Sequence, residues 1–516
     1  MSHPCSDPWS TLVLSPAENR VTACCESSAT GDMLVGEEAG LRPISELWNG
    51  PTLREQRRIQ TGRQAAPHGC SGCVQSFDAP EQPQPFALIN DAGLNEPQRA
   101  NLERLRGEWR DGAEISTGLP ARYVVFFGWA CNIRCRICNQ VPHRDHFRGR
   151  LPAEAFRLWH HPMTLATEVE CLGGEPFAIR TGLDFMKAFV ADPELAHVPL
   201  KLTTNATLLA EHFDWLKAKP NIRFNVSIDS VGEGYEDIRA GGKWADVAAN
   251  LTEIARLIRT EQPGWQLVTN ALFTKTGIRH IVDFARFHVE NGIRTDFNFL
   301  RPTRGIEETV YGEDVVRYPH LVAEIPDGLA RILTAADLYA HAGFDLEAAQ
   351  MRRLHALIAG SNRPAPAGAS MTRPLADIEG EAIVRMAAGG IGGPQPELVE
   401  VPGGLGFVAE DGNRGVVLRV NFQGSLPEDG RVLVRLTWRE EDGAAPACQA
   451  TFYDQPDFVL LAWRQERLAD GALAKELEVC ALGDPAQSKR LMLTLMAGAK
   501  FGPNRLPDRL QLLALP

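Results

Sequence analysis

The chain has 516 residues, of which 44% are hydrophobic and 23% charged, ordinary proportions for a globular protein with room for several domains. Its formal net charge of −12 argues against general nucleic-acid binding, which needs a basic surface to offset phosphates. No apolar run reaches the ~18 residues of a membrane span, and the start (Met1-Ser2-His3-Pro4-Cys5) lacks a charged-then-apolar signal, so a cytoplasmic protein without membrane or nucleic-acid partners is expected.

Eight of the eleven cysteines fall before residue 140, in two groups. In a reducing compartment, clustered cysteines are more often metal ligands or catalytic groups than disulfides. Cys171, Cys448 and Cys480 are scattered and read as small buried apolar residues.

Residues 1–82 read as a small cysteine-bearing module. Cys5 precedes Pro8-Trp9, a strand-like run covers Thr11-Leu12-Val13-Leu14, and the pair Cys24-Cys25 leads to Trp48-Asn49-Gly50 and a closing Cys70-Ser71-Gly72-Cys73. Cys5, one member of the pair, Cys70 and Cys73 would fill a metal site; either Cys24 or Cys25 can serve, with Cys24 preferred. The four positions alone do not separate an iron–sulfur cluster from a structural zinc ribbon. Residues 83–118 follow as a linker and a polar helix near 96–110.

A strand-like Tyr123-Val124-Val125-Phe126-Phe127 then runs into Cys131, Cys135 and Cys138, a C-x3-C-x2-C loop. Three thiolates this close can hold three corners of a four-iron, four-sulfur cluster, whereas most such clusters have four cysteines. The arrangement leaves one iron for another ligand. A zinc knuckle is the alternative, with His143 or His146 as a fourth ligand; His160 and His161 read as surface or packing residues.

Residues 119–304 alternate strands and helices, which predicts a largely parallel sheet with right-handed crossovers. Strands are expected near 122–130, 166–172, 198–204, 221–229, 266–273 and 294–300. Trp244, Val247, Ala248, Leu251, Ile254, Ala255 and Ile258 recur at helical spacing, as do Ile278, Ile281, Val282 and Ala285 before a C-terminal stop at Gly292. In Phe224-Asn225-Val226-Ser227-Ile228-Asp229, and in Asp296-Phe297-Asn298-Phe299, polar and apolar residues alternate. Helices must cover the apolar parity, so the polar parity faces a lumen. Glu168, Glu170, Asn270, Asp296 and Asn298 share it and are candidates to bind substrate or move a proton.

Three motifs close successive strands: Gly173-Gly174-Glu175-Pro176, Thr203-Thr204-Asn205, and Asn225-Val226-Ser227-Ile228-Asp229-Ser230. With the cysteine loop, this ordered series resembles the radical SAM superfamily, in its branch with SPASM or twitch auxiliary-cluster domains. The resemblance implies a partial (β/α)6 barrel. It also implies a 4Fe–4S cluster on Cys131, Cys135 and Cys138 whose open iron binds S-adenosylmethionine (SAM), and SAM cleavage to a 5′-deoxyadenosyl radical. Gly173, Gly174, Glu175 and Pro176 would approach the SAM amino group. Thr204, Asn205, Ser227 and Asp229 would meet ribose and carboxylate, Arg239 the methionine carboxylate, and Leu272 and Phe273 the adenine. Ile137 departs from the pattern, standing where the family usually has an aromatic residue against adenine.

Residues 1–82 likewise resemble the auxiliary-cluster part of SPASM and twitch domains, which implies a second 4Fe–4S cluster on Cys5, Cys24, Cys70 and Cys73. In the family this module normally follows the barrel; here it precedes it. The implied substrate is a ribosomal peptide, although no leader-binding domain is evident before the barrel. The alternatives are dehydrogenation or epimerisation of a sugar or other small metabolite, and a non-catalytic iron–sulfur scaffold. A flavodoxin- or ferredoxin-type reductant is implied for an enzyme.

Residues 305–375 are expected to hold a helical segment (305–359) and a Pro/Gly/Ala/Ser-rich linker (364–370). From 376 to 516 the period becomes two: Val432, Val434, Leu436 and Trp438 alternate with Leu433, Arg435 and Thr437. With further runs at 416–422, 457–464, 475–482, 490–497 and 509–515, the pattern predicts a C-terminal β-sandwich.

Overall fold

The computed structural model describes residues 5–15, 19–23, 32–33, 41–63, 86, 89, 91–138, 140–141, 151–298, 300, 309, 312–316, 319–361, 374–379, 382–383, 387–390, 398–401, 404–409, 415–421, 431–439, 449–451, 458–467, 472–481, 490–496 and 502–514. They form two units. The first takes Met1–Leu272, Arg279–Asn298 and Thr334–Gln350; the second takes Phe273–Ile278, Phe299–Leu333 and Met351–Pro516.

The first unit is built on one sheet. Its strands are β1 (Thr11–Ser15), β2 (Arg20–Thr22), β3 (Asp32–Met33), β4 (Arg122–Phe126), β5 (Glu168–Leu172), β6 (Leu200–Thr204), β7 (Ile222–Ser227), β8 (Gln266–Leu272) and β9 (Arg294–Asn298), in the order β3-β2-β1-β4-β5-β6-β7-β8-β9. From β4 to β9 every neighbour is parallel and in chain order, the arrangement expected of six β/α units.

The N-terminal module differs from expectation in one respect. It is not separate from the barrel: β1 lies parallel beside β4, with Leu12 opposite Tyr123 and Leu14 opposite Val125. The reason is legible in the burial, because all five residues of β1 are buried. A short strand covered on both faces belongs inside a sheet, not at its edge. Arg57 ties the module together, donating to the carbonyls of Pro8, Trp48 and Glu114 and to Asn49 Oδ1, with its guanidinium 4.5 Å from the Trp48 ring centre.

The helices follow from local signals. Asn95 and Gln98 form a reciprocal capping box that starts Glu96–Asp111. Of the periodic residues noted above, Trp244–Thr260 buries Val247, Leu251, Ile254 and Ala255 and leaves Trp244, Ala248 and Ile258 half-buried. Ile281–Asn291 buries Ile281 and Ala285 and ends at Gly292 with φ 68°, while Ile278 falls in the separate short helix Lys275–Arg279.

Strand alternation sorts the sheet into two faces. Tyr123, Val125, Val169, Cys171, Leu200, Leu202, Ile222, Phe224, Val226, Ala271 and Phe297 are buried on one. Arg122, Glu168, Glu170, Lys201, Thr203, Arg223, Asn225, Ser227, Asn270, Asp296 and Asn298 have the other parity, and the in-register parallel pairing keeps them together. The polar lumen face read from alternation is therefore present.

In the second unit, antiparallel sheets of five, four and three strands occupy 374–514. The six strands expected there are found, including Arg431–Trp438, where Val432, Val434, Leu436 and Trp438 are all buried. Before them in the chain lie the helices Gly328–His341 and Asp345–Ser361, whose residues Thr334–Gln350 are counted in the first unit. Among the described residues, no helix is long and apolar enough to cross a membrane.

Candidate functional site

The loop that follows β4 carries Cys131, Cys135 and Cys138, with Cys135 buried and the other two half-buried. It has no helix or strand of its own, so its shape depends on its neighbours. Three of them grip it. Asn205 Nδ2 donates to Asn132 Oδ1 at 3.0 Å and to Cys131 Sγ at 3.7 Å, while Asn132 Nδ2 donates to Thr207 Oγ1 at 2.8 Å. The backbone N–H groups of Arg134 and Arg136 donate to Ala240 O and Ile238 O, both at 2.8 Å. Gly174 N and Glu175 N donate to Gly128 O and Ala130 O, at 2.7 and 2.8 Å.

The Gly173–Gly174 pair is explained by the third grip. A Cβ on Gly174 would stand 2.2 Å from Ala130 O and 2.5 Å from Trp129 O, and one on Gly173 would stand 2.8 Å from Gly128 O. All three obstacles are backbone and cannot rotate away. The close approach expected toward a ligand is, in the structure, an approach to the loop that carries the cysteines.

Glu175 also turns inward. Its Oε1 accepts from Thr204 Oγ1 (2.8 Å) and Phe177 N (3.3 Å), and its Oε2 accepts from Asn205 N (2.7 Å). Burial raises its pKa to about 7, outweighing these donors and Arg239, which pull the other way. Glu175, expected to meet SAM, instead locks its own loop to the end of β6; Pro176 is buried beside it. Asn205 is committed in the same way, since its Oδ1 accepts from both Thr207 N and Thr207 Oγ1.

Arg239 is paired within the protein. Its Nη2 stands 2.7 Å from Asp229 Oδ2, and its Nη1 donates to Cys135 Sγ at 3.9 Å. Asp229 Oδ1 accepts from Leu272 N at 3.0 Å. The guanidinium and carboxylate expected to reach SAM therefore pair with each other. Burial opposes the Arg239 charge, but Asp229, Cys135 and Tyr235 hold its pKa above the ordinary value. Burial pushes the Cys135 thiol up to about 11, against the pull of Arg239; metal coordination deprotonates such a thiol.

On the lumen face, Glu168 pairs with Arg122 and Arg223, and Glu170 with Arg122 and Lys201. Burial alone would raise the Glu170 pKa, yet Lys201 and Arg122 hold it below the ordinary carboxyl value. Both glutamates are thus engaged in a network and are poor candidates to move a proton. Further along the strands the hydrogen-bonded side chains are neutral. Thr203 Oγ1 donates to Glu170 (2.9 Å), Asn225 Nδ2 to Thr203 Oγ1 (3.2 Å), Asn270 Nδ2 to Asn225 Oδ1, and Asn298 Nδ2 to Asn270 Oδ1 (3.4 Å). Asp296 is exposed on the same face.

Ser227 and Leu272 are half-buried at the ends of their strands, and Thr204 and Phe273 are buried. Of the second cysteine set only Cys5 is described; Cys24, Cys25, Cys70 and Cys73, like His143 and His146, lie outside the described residues. Among the described residues, no three His, Cys, Asp or Glu side chains converge as on a single ion. Thiolates bound to separate irons of one cube stand farther apart than that. Asn132, Thr207, Thr203 and Asn225 did not stand out as site residues in the sequence. Parity identifies the last two; the first two are marked only by adjacency to Cys131 and Asn205.

Residues 125–277 match the family model described as the Radical SAM superfamily. That match holds the three cysteines and all the strand-end motifs. Among solved structures, the chain is similar to SuiB of Streptococcus suis bound to precursor peptide SuiA, at 21% identity over 41% of this chain and 47% of that one, TM-score 0.31. It is also similar to native anSMEcpe with bound AdoMet and Cp18Cys peptide, at 15% identity over 44% of this chain and 61% of that one, TM-score 0.32. The chain thus spans about half to three-fifths of those proteins. No curated protein matches it by sequence.

The family implies a 4Fe–4S cluster and SAM, and the residues present fit them. Three thiols share one fixed loop, a buried guanidinium faces the Cys135 sulfur, and beside it Ser230 Oγ, Tyr235 Oη and Arg239 Nε are buried without a hydrogen-bond partner.

Proposed function

The chain carries a radical SAM domain over residues 125–277, and we propose that it is an enzyme that cleaves SAM reductively at a cluster on Cys131, Cys135 and Cys138 and abstracts a hydrogen from a ribosomal peptide. The threefold grip on the cysteine loop carries this reading. Six backbone or amide hydrogen bonds of 2.7–3.0 Å, from two strand ends and the end of the helix Gly232–Ile238, hold a loop that has no secondary structure of its own. A merely structural loop needs no such fixing, whereas ligands to an open-iron cluster must be held in place.

When bound, the cluster and SAM supply one electron and a 5′-deoxyadenosyl radical. The chain's part is to hold and orient. Cys131, Cys135 and Cys138 would take three irons. Ser227 and Leu272, at the ends of two neighbouring strands, are side chains of the expected SAM set that no bond described above spends within the protein. Asn225, Asn270 and Asn298 offer carboxamides on the lumen face, matched to the N–H and C=O groups of a peptide backbone. A second cluster on Cys5, Cys24, Cys70 and Cys73 would bind substrate or accept an electron, and a flavodoxin- or ferredoxin-type protein would deliver the first one.

Anaerobically reconstituted protein given dithionite and SAM should form 5′-deoxyadenosine, and the C131A/C135A/C138A variant should not. Equal product from both would refute the cluster assignment. The substrate class is tested by adding a short precursor peptide encoded beside the gene. A mass change in the peptide supports the peptide reading, and turnover of a sugar metabolite alone removes it.

A further inference from the structure

We propose that Arg239 is a positioning residue that acts through the Cys135 sulfur to raise the reduction potential of the cluster, with Asp229 setting the opposite bias. The inference rests on the cluster assignment above. It starts from where the guanidinium is spent. Arg239 is 9% exposed, its Nη1 donates to Cys135 Sγ at 3.9 Å, and its Nη2 stands 2.7 Å from Asp229 Oδ2. Two backbone hydrogen bonds, Arg134 N to Ala240 O and Arg136 N to Ile238 O, fasten the cysteine loop to the segment on either side of Arg239. Asp229 is fixed from the other side by Leu272 N. The carboxylate cannot swing away without breaking its bond from Leu272 N, nor the guanidinium without breaking its pair with Asp229.

A cluster gains negative charge on reduction. A buried positive charge and an N–H aimed at one of its sulfurs stabilise the reduced form, and a buried carboxylate opposes it. The effect is stronger at a buried site than in water, because the local dielectric is low. Arg239 and Asp229 are one such pair of opposite sign, with the cation donating to the sulfur. This role, exercised through Nη1 and Nη2, is distinct from the carboxylate contact that the family resemblance suggested.

The test is redox titration of the reconstituted protein, followed by the EPR signal that the C131A/C135A/C138A variant lacks. Arg239→Gln should lower the midpoint potential, Arg239→Lys should leave it near wild type, and Asp229→Asn should raise it. Opposite signs are what a purely structural role does not produce. If Arg239→Gln and Asp229→Asn move the potential the same way, or neither moves it, the inference is overturned while the cluster assignment stands. If Arg239→Gln fails to retain iron, Asp229→Asn decides alone: a rise supports the inference and no rise refutes it. A wild type without that EPR signal removes the cluster assignment and this inference together.

Discussion

The two ends of the lumen face are built differently. Where the strands begin, Arg122, Glu168, Glu170, Lys201 and Arg223 form a closed ionic network. Where they end, the same face carries Asn225, Ser227, Asn270, Asp296 and Asn298, of which Asn225, Asn270 and Asn298 are linked by amide hydrogen bonds. Paired charges have little left to offer a ligand. Carboxamides keep donors and lone pairs in reserve after one bond each. The C-terminal end of a parallel sheet is also where ligands bind in open α/β folds, and it is there that the cysteine loop is gripped. One end of the face holds the sheet together and the other is left to meet something else.

The largest expected effect breaks the grip directly. Gly174→Val puts a side chain against the carbonyls of Trp129 and Ala130 and should dislodge the cysteine loop. Iron at this site should fall from about four per chain to near none, with far-ultraviolet circular dichroism close to wild type. Full iron loading in the variant would refute the account of the glycine pair. Next comes the closed end. Glu170→Ala leaves Arg122 and Lys201 short of a buried partner and should cost about 3–5 kcal/mol of stability, read from denaturant midpoints. A loss under ~1 kcal/mol would mean that the network is not what holds the strand starts.

Much of this contrast is legible in the sequence, but unevenly. Period-two alternation gives the lumen face because side-chain direction in a strand is a local property. The six barrel strands and the Gly292 stop follow from equally local signals. What the sequence does not show is pairing. Nothing local says that Glu170 spends its charge on Arg122 and Lys201, that Glu175 faces Thr204, or that Arg239 takes Asp229 in place of a ligand. Each joins residues 29 or more positions apart except Arg239 with Asp229. The membership of β1 in the barrel sheet is a long-range pairing of the same kind, across more than a hundred residues.

Glu175 gives a smaller effect with a definite sign. Its folded-state pKa is raised to about 7 from 4.5, so between those values the folded protein binds the proton that the unfolded chain has lost. Its contribution to stability is therefore fully present below about pH 4.5 and is lost as pH rises to about 7, a change on the order of 2–3 kcal/mol. Melting temperatures measured from pH 5 to 8 should fall less steeply in Glu175→Gln than in wild type. Identical slopes would show that the carboxyl is not the titrating group.

The smallest effect on stability is expected at the open end. Asn270 is half-buried, donates to Asn225 and accepts from Asn298. Asn270→Ala removes two neutral hydrogen bonds whose partners remain within reach of water. The net cost of such bonds is about 1 kcal/mol or less each, so melting should shift little. If this end of the face meets a peptide, the loss should fall on substrate affinity: a KM raised several-fold, with 5′-deoxyadenosine formation from SAM alone unchanged. Glu170→Ala should do the opposite, lowering stability while sparing KM in whatever remains folded. Running the two variants side by side, with a thermal melt and a substrate titration on each, tests the contrast itself. If both lose stability and neither changes KM, the two ends serve the same structural purpose, and the lumen face is not where this protein meets its substrate.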